Sequence, residues 1–255
     1  MAARPTLLVV QYDGGSFAGW QRQPAARTVQ GEIEAVLERL LGRRVPVVGA
    51  GRTDAGVHAV GQAAATTLPE RWAPEELVRA MNALLPSDIW VASARRMAAG
   101  FHPRRDAVER TYCYRLGTDP GAWSPFRRRH EWAVPGPVCA ERLAASAAAL
   151  VGEHSFTALA AKGPAREHHR CRVYEALWLA REDAPGFEFW ITADRFLHHM
   201  VRFLVGLMVD VARGRRPPRD VSRLLASTDN RDASPPAPPQ GLFLVGVRYP
   251  VRLYA

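Results

Sequence analysis

The chain predicts an α+β fold built from two ferredoxin-like halves, and three observations carry that expectation. Stretches with alternating apolar residues and stretches with apolar residues three or four apart follow one another as β-α-β-β-α-β, and the same order then recurs with one extra helix. The 255 residues, 47% of them hydrophobic, suffice for a sizeable core in one large domain or two small ones. No long linker separates the halves, so their sheets are expected to join in one body rather than sit as two beads. The halves are read as residues 1–103 and 104–255, and their likeness is architectural, without residue-level self-similarity.

Thr6–Tyr12 is β-branched and apolar, which predicts the first strand. After a glycine-rich turn, Val29, Ile33, Val36, Leu37, Leu40 and Leu41 fall at helical spacing and place a helix over Thr28–Leu41. Val45–Val48 is a short strand running into the Gly49–Gly56 loop, and Gly61–Leu68 is the next strand. Pro74 suits the first turn of a helix extending to Leu85, and Ile89–Met97 closes the half as a strand. The second half opens with the strand Ala107–Leu116, the alanine-rich helix Val138–Leu150 and the strands Arg172–Ala180 and Phe187–Thr192. It closes with a helix over His198–Arg213, a short helix near Arg219–Ala226 and a final strand Leu242–Tyr249. Two segments interrupt the plan. Pro235–Pro239 must be extended and semi-rigid, while the polar, basic Ala160–Arg170 reads as a mobile surface loop.

Charge is the unusual quantity, with 34 Lys+Arg against 25 Asp+Glu and a formal net charge of +9. A basic excess bears on polyanion affinity and not on fold, which makes nucleic acid the leading partner against a merely basic surface. Lys162 is the only lysine, an arginine bias that codon usage alone can produce. Arginine's planar fork also grips phosphate and stacks on bases, so the bias is compatible with RNA binding. Cys113, Cys139 and Cys171 are odd in number, widely spaced and without a C-x-x-C pair, which argues against a zinc site and a disulfide framework. Met1–Pro5 lacks the apolar stretch of a signal peptide, and Phe203–Val209 is too short to span a bilayer. A soluble cytoplasmic protein without membrane contact is expected.

The most distinctive stretch is Gly49-Ala50-Gly51-Arg52-Thr53-Asp54-Ala55-Gly56-Val57-His58. Its glycines allow tight turns and close approach to a ligand, with Arg52, Thr53 and Asp54 at the tip. The G-K-[ST] ending of a phosphate-cradling loop is absent. An Asx-type turn capped by Asp54 is the plain alternative.

This decapeptide, with Tyr12-Asp13-Gly14, Gly19-Trp20-Gln21 and Thr28-Val29-Gln30 before it, resembles the TruA-type tRNA pseudouridine synthases. Colinear matches follow at Phe101-His102-Pro103-Arg104, Arg110-Thr111-Tyr112-Cys113-Tyr114, Phe196–Arg202 and Gly241–Val245, so the resemblance covers nearly the whole chain. Departures are the proline-rich Ala233–Gln240 and the weakly matching Ala160–Arg170.

The resemblance implies the pseudouridine synthase fold, in which the two halves share a central, largely antiparallel sheet with flanking helices and the catalytic loop lies in the cleft between them. It implies isomerisation of uridine at positions 38, 39 and 40 in the anticodon stem-loop of tRNA, by a homodimer whose protomers both contact one tRNA. The reaction breaks a C–N glycosidic bond and rejoins the base through carbon, so no cofactor and no metal is expected. By the resemblance Asp54 is the essential catalytic aspartate, Arg202 its cationic partner and Tyr112 the active-site tyrosine, while Leu242 walls the uridine pocket and Arg52 draws or holds the flipped nucleotide. Tyr114 keeps the plain reading of a core residue.

The pairs His168-His169 and His198-His199 invite a metal reading, but neighbours on a helix diverge by about 100°, unlike an i, i+4 pair. The clusters Arg95-Arg96, Arg104-Arg105, Arg127-Arg128-Arg129 and Arg213–Arg216 read as phosphate-facing or simply solvated. Two other classes compete: a non-catalytic RNA-binding module, which lacks the expected aromatic run and has no use for Asp54 with Arg202, and a tRNA-folding chaperone.

Overall fold

A computed structural model describes residues 3–134, 136–161 and 169–255. The elements run β1 (Ala3–Tyr12), α1 (Val29–Leu41), β2 (Val48–Gly49), β3 (His58–Pro69), α2 (Pro74–Asn82), β4 (Ile89–Arg96) and β5 (Glu109–Gly117). They continue as β6 (Trp132–Ala133), α3 (Ala140–Ala148), β7 (Gly152–Ser155), β8 (Arg170–Ala180), β9 (Gly186–Ala193), α4 (Met200–Ala212), α5 (Asp220–Leu225) and β10 (Leu242–Arg248). The class is α+β with mostly antiparallel strands, as the sequence predicts.

The chain forms two compact units, Met1–Val108 with Phe243–Ala255, and Glu109–Leu242. In the first, β1 is flanked by antiparallel β4 and β3. The far edge of β3 receives β2 antiparallel at Val48↔Ala65 and Gly49↔Ala64, and β10 parallel at Phe243↔His58 and Leu244↔Ala59. The last strand, expected to close the second half, thus pairs with the first unit. In the second unit β9 lies between antiparallel β5 and β8, β7 adds to β8, and β6 runs parallel to β5.

Local chemistry sets the boundaries. Thr28 caps α1 by accepting the Gly31 N–H on Oγ1 at 3.3 Å, and Gly42 at φ 70° ends it. Between them Val29, Ile33, Val36 and Leu37 are buried, the predicted apolar stripe. The Val45–Val48 strand shrinks to β2. Side chains of α1 take the Val47 backbone groups instead, with Val47 N–H donating to Glu34 Oε1 at 3.1 Å and Gln30 Nε2 donating to Val47 O at 3.0 Å.

Helix α2 stops at Asn82, short of the expected Leu85. Leu85 precedes Pro86, which disfavours the helical region, and the Asn82 amide pairs with both the N–H and C=O of Val91 on β4. Helix α4 begins at Met200 and not at His198, because His199 sits at φ 61°, in the left-handed region no α-helix includes. The histidines therefore precede the helix rather than diverging on it, and their ring centroids lie 3.9 Å apart. Strand β8 starts at Arg170 because β7, too short and polar to show alternation, pairs Ser155 with it.

The expected mobile loop Ala160–Arg170 falls mostly on residues 162–168, and His168 with it, outside the described residues. Pro238, at φ −55° and ψ 145°, is extended as expected, but Pro239 opens a single 3-10 turn into β10. Among the described residues, no helix is long and apolar enough to cross a membrane.

Candidate active site

The 50–57 loop joins β2 to β3, and its conformation is dictated from beneath. The Trp20 N–H donates to Thr53 O at 3.0 Å, and the Tyr12 hydroxyl shares a 2.7 Å hydrogen bond with Thr53 Oγ1. Gln62 Nε2 donates to Gly51 O at 2.9 Å, and the Ala50 N–H donates to Ala63 O at 2.7 Å. Asp54 O accepts the Val57 N–H at 3.2 Å, and Gly56 at φ 79° occupies the third position of that turn, the geometry of a type II turn. The turn at Asp54 is thus closed by its backbone carbonyl. Thr53 is 6% exposed, Asp54 is half-buried and Arg52 is exposed. An anchored residue, a presented carboxylate and a solvent-facing guanidinium thus occupy three consecutive positions.

Two glycines leave room for this packing. A Cβ at Gly19, itself at φ 98°, would lie 2.7 Å from Thr53 O, and one at Gly14 would lie 2.0 Å from Val57 O. The N-terminal motifs that accompany the loop in sequence form its bed in space. His58, buried at the root of β3, accepts the Gly14 N–H on Nδ1 at 3.0 Å and stacks on Phe243 with ring centroids 4.8 Å apart.

In the second unit Tyr112 lies on β5 opposite Ile191, half-buried, its ring edge-on to Phe196 at 4.9 Å between centroids. Arg202 is the third residue of α4. Its Nε donates to Ala237 O at 2.7 Å, while the Ala237 N–H donates to Arg202 O at 2.9 Å, a reciprocal clamp that leaves the guanidinium half-buried. The next proline is held by Tyr114, whose hydroxyl donates to Pro238 O at 2.8 Å. Burial pushes the Tyr114 phenol well above its usual range, partly offset by the charge of Arg202, so Tyr114 is the core residue its alternation suggests. Arg202, through Ala237, and the buried Leu242 thus bracket the short segment that ends in the 3-10 turn, while Tyr112 contacts the segment leading into α4.

Gln62 was missed by sequence reasoning. It is 0% exposed and carries the Gly51 carbonyl, and its signal was a single amide inside the run Gly61-Gln62-Ala63-Ala64-Ala65. The sequence marks Tyr12 and Trp20 only as motif letters. Their side chain and backbone hold Thr53 from below.

A sequence profile described as tRNA pseudouridine synthase matches residues 8–104 and 146–250. A protein of Cereibacter sphaeroides named tRNA pseudouridine synthase A is 42% identical over 252 residues, 97% of this chain and 98% of that relative. Proteins of the same name from Myxococcus xanthus and Solidesulfovibrio magneticus are 40% and 42% identical, over 95% of this chain and 91% and 90% of their own lengths. A profile matching well over half of the chain, and relatives this similar across nearly their full lengths, place the chain in the tRNA pseudouridine synthase family.

Proposed function

We propose that the protein isomerises uridine to pseudouridine in tRNA, at positions 38, 39 and 40 of the anticodon stem-loop, in the cytoplasm and as a homodimer. The observation that carries the reading is the presentation of Asp54, whose neighbour Thr53 is fixed by a backbone and a side-chain hydrogen bond while Asp54 itself is half-buried. Such preorganisation lets a carboxylate act without a conformational cost at the moment of reaction.

Asp54 acts as nucleophile or base on the uridine, a redox-neutral exchange of a C–N for a C–C bond for which the chain's own groups suffice. Once the nucleotide covers it, the carboxylate needs a cation to remain ionised, and Arg202 is assigned that role. Tyr112 stacks on the target base, with its hydroxyl available for proton transfer, and Leu242 supplies an apolar wall. A uridine in a stem must leave the stack, at a cost of a few kcal/mol, and Arg52 holds the displaced nucleotide through its phosphate. The anticodon stem is recognised by shape, because the deep groove of A-form RNA hides its sequence.

The test incubates undermodified tRNA with the wild type and with Asp54→Asn and maps pseudouridine by chemical probing. Product at 38–40 from the wild type alone is expected. Wild-type binding without product favours a binding module or chaperone, and product from Asp54→Asn removes Asp54 from the mechanism.

A further inference from the structure

Between β5 and β6 the chain builds a small exposed knuckle whose outward residues the catalytic reading does not use. Phe126 is 90% exposed and Trp123 58%, in a stretch that continues as Arg127-Arg128-Arg129. The three arginines are not equivalent. Arg127 turns inward and grips Asp119 with two bonds, Nη1 to Oδ2 at 3.0 Å and Nη2 to Oδ1 at 2.9 Å, with Nε 2.9 Å from Glu131 Oε1. Glu131 is buried and also paired with Arg181. Backbone bonds from Ser124 to Gly121, and from Arg127 and Arg128 to Ser124, complete the fold of the loop. Arg128 and Arg129, two and three residues on from Phe126, are exposed.

We propose that this knuckle is an RNA-binding surface, on which Phe126 stacks against an unpaired base while Arg128 and Arg129 engage the adjoining phosphates. The proposal rests on the reading that RNA is the substrate. Bases inside a duplex are covered by their neighbours, so a protruding ring stacks only where a base is unpaired or terminal. Charge complementarity selects the polyanion over an apolar partner, since a partner covering this exposed stretch would otherwise desolvate the arginines that directly follow Phe126 in sequence. Because Arg127 fixes the loop beforehand, binding orders little chain. Tyr112 and Gly117 are five residues apart on β5, about 17 Å of strand, and the knuckle lies beyond Gly117. It therefore contacts a different part of the RNA from the reacting uridine and acts on capture.

The test measures affinity for labelled undermodified tRNA by fluorescence anisotropy, beside a long RNA duplex whose two terminal pairs are a small fraction of its binding sites. Phe126→Ala raises the Kd for tRNA at least about fivefold and leaves the duplex unaffected, while Phe126→Trp restores tightness. Arg128→Ala with Arg129→Ala weakens both RNAs and lowers the salt dependence. Unchanged tRNA affinity in Phe126→Ala, or equal losses on tRNA and duplex, overturns the proposal. So does a shift from dimer to monomer in sedimentation with affinity per protomer intact, which makes the knuckle a contact between copies. Pseudouridine mapping of the wild type in parallel separates the two readings. Phe126-dependent binding without product sinks the isomerase and leaves the knuckle standing; product with Phe126-independent binding does the reverse.

Discussion

The Tyr12 hydroxyl and Thr53 Oγ1 lie 2.7 Å apart although 41 residues separate them in sequence. Both groups are buried, and Gln62 Nε2 reaches the same phenol at 3.5 Å. Tyr12→Phe leaves the Thr53 hydroxyl without this partner and is expected to destabilise the protein by about 1–2 kcal/mol. Turnover should fall more than stability does, because the freed residue adjoins Asp54. Urea unfolding and single-turnover rates on the same samples check this, and an unchanged rate with lowered stability assigns the bond to the fold alone.

Gly19 and Gly42 both have positive φ, 98° and 70°, but their surroundings differ. A Cβ on Gly19 meets Thr53 O at 2.7 Å, whereas one on Gly42 meets nothing within 4 Å. Each substitution to alanine carries left-handed strain of about 1–2 kcal/mol. Gly19→Ala must also displace the loop, and is expected to lower kcat by about a hundredfold. Gly42→Ala should leave kcat intact. Equal kinetic losses in the two variants would show that the close approach at Gly19 is immaterial.

Arg202 uses Nε on Ala237, and a lysine has no second nitrogen to do this while facing substrate. Both Arg202→Ala and Arg202→Lys are therefore expected to lower kcat by about a hundredfold or more, with tRNA affinity little changed. Parallel losses of kcat and affinity would overturn the proposed role of Arg202 as the cation for Asp54 and make it an RNA-gripping residue.

The Arg127 guanidinium bonded to Asp119 holds that carboxyl below its ordinary value. A carboxyl depressed in the folded state contributes order above its unfolded value of about 4 and loses it as pH falls through the lower folded value. The knuckle is expected to keep its protection at about pH 5 and lose it only below about pH 4. Amide exchange at residues 121–130, normalised for intrinsic rates, checks this. Asp119→Asn should show the loosened pattern at neutral pH.

Much of the fold was legible because its elements obey local rules. The α1 stripe and the apolar, β-branched run of β1 both speak within a dozen residues. Legibility failed where a distant residue decides. The amide of Asn82 on Val91, the Glu34 carboxylate on the Val47 N–H and the left-handed His199 each moved a boundary that periodicity cannot register. Asp54 stood out only through its motif. A carboxylate on a glycine-rich loop is ordinary, and its bed comes from residues dozens of positions earlier, while Gln62 was hidden among alanines.

The pairing of β10 with His58 and Ala59 has a consequence for biogenesis. The unit that carries Asp54 is interrupted after Val108 and resumes at Phe243. A ribosome adding about 5–20 residues per second delivers that closing strand several seconds or more after the rest of the unit has emerged. Until then part of the β3 edge is unpaired, His58 lacks its stacking partner Phe243, and Pro103 O lacks the Tyr249 hydroxyl that bonds it at 2.7 Å. A nascent chain stalled before Phe243 would hold Asp54 with its supporting sheet still open, so that support is completed only after the whole of the second unit has been synthesised.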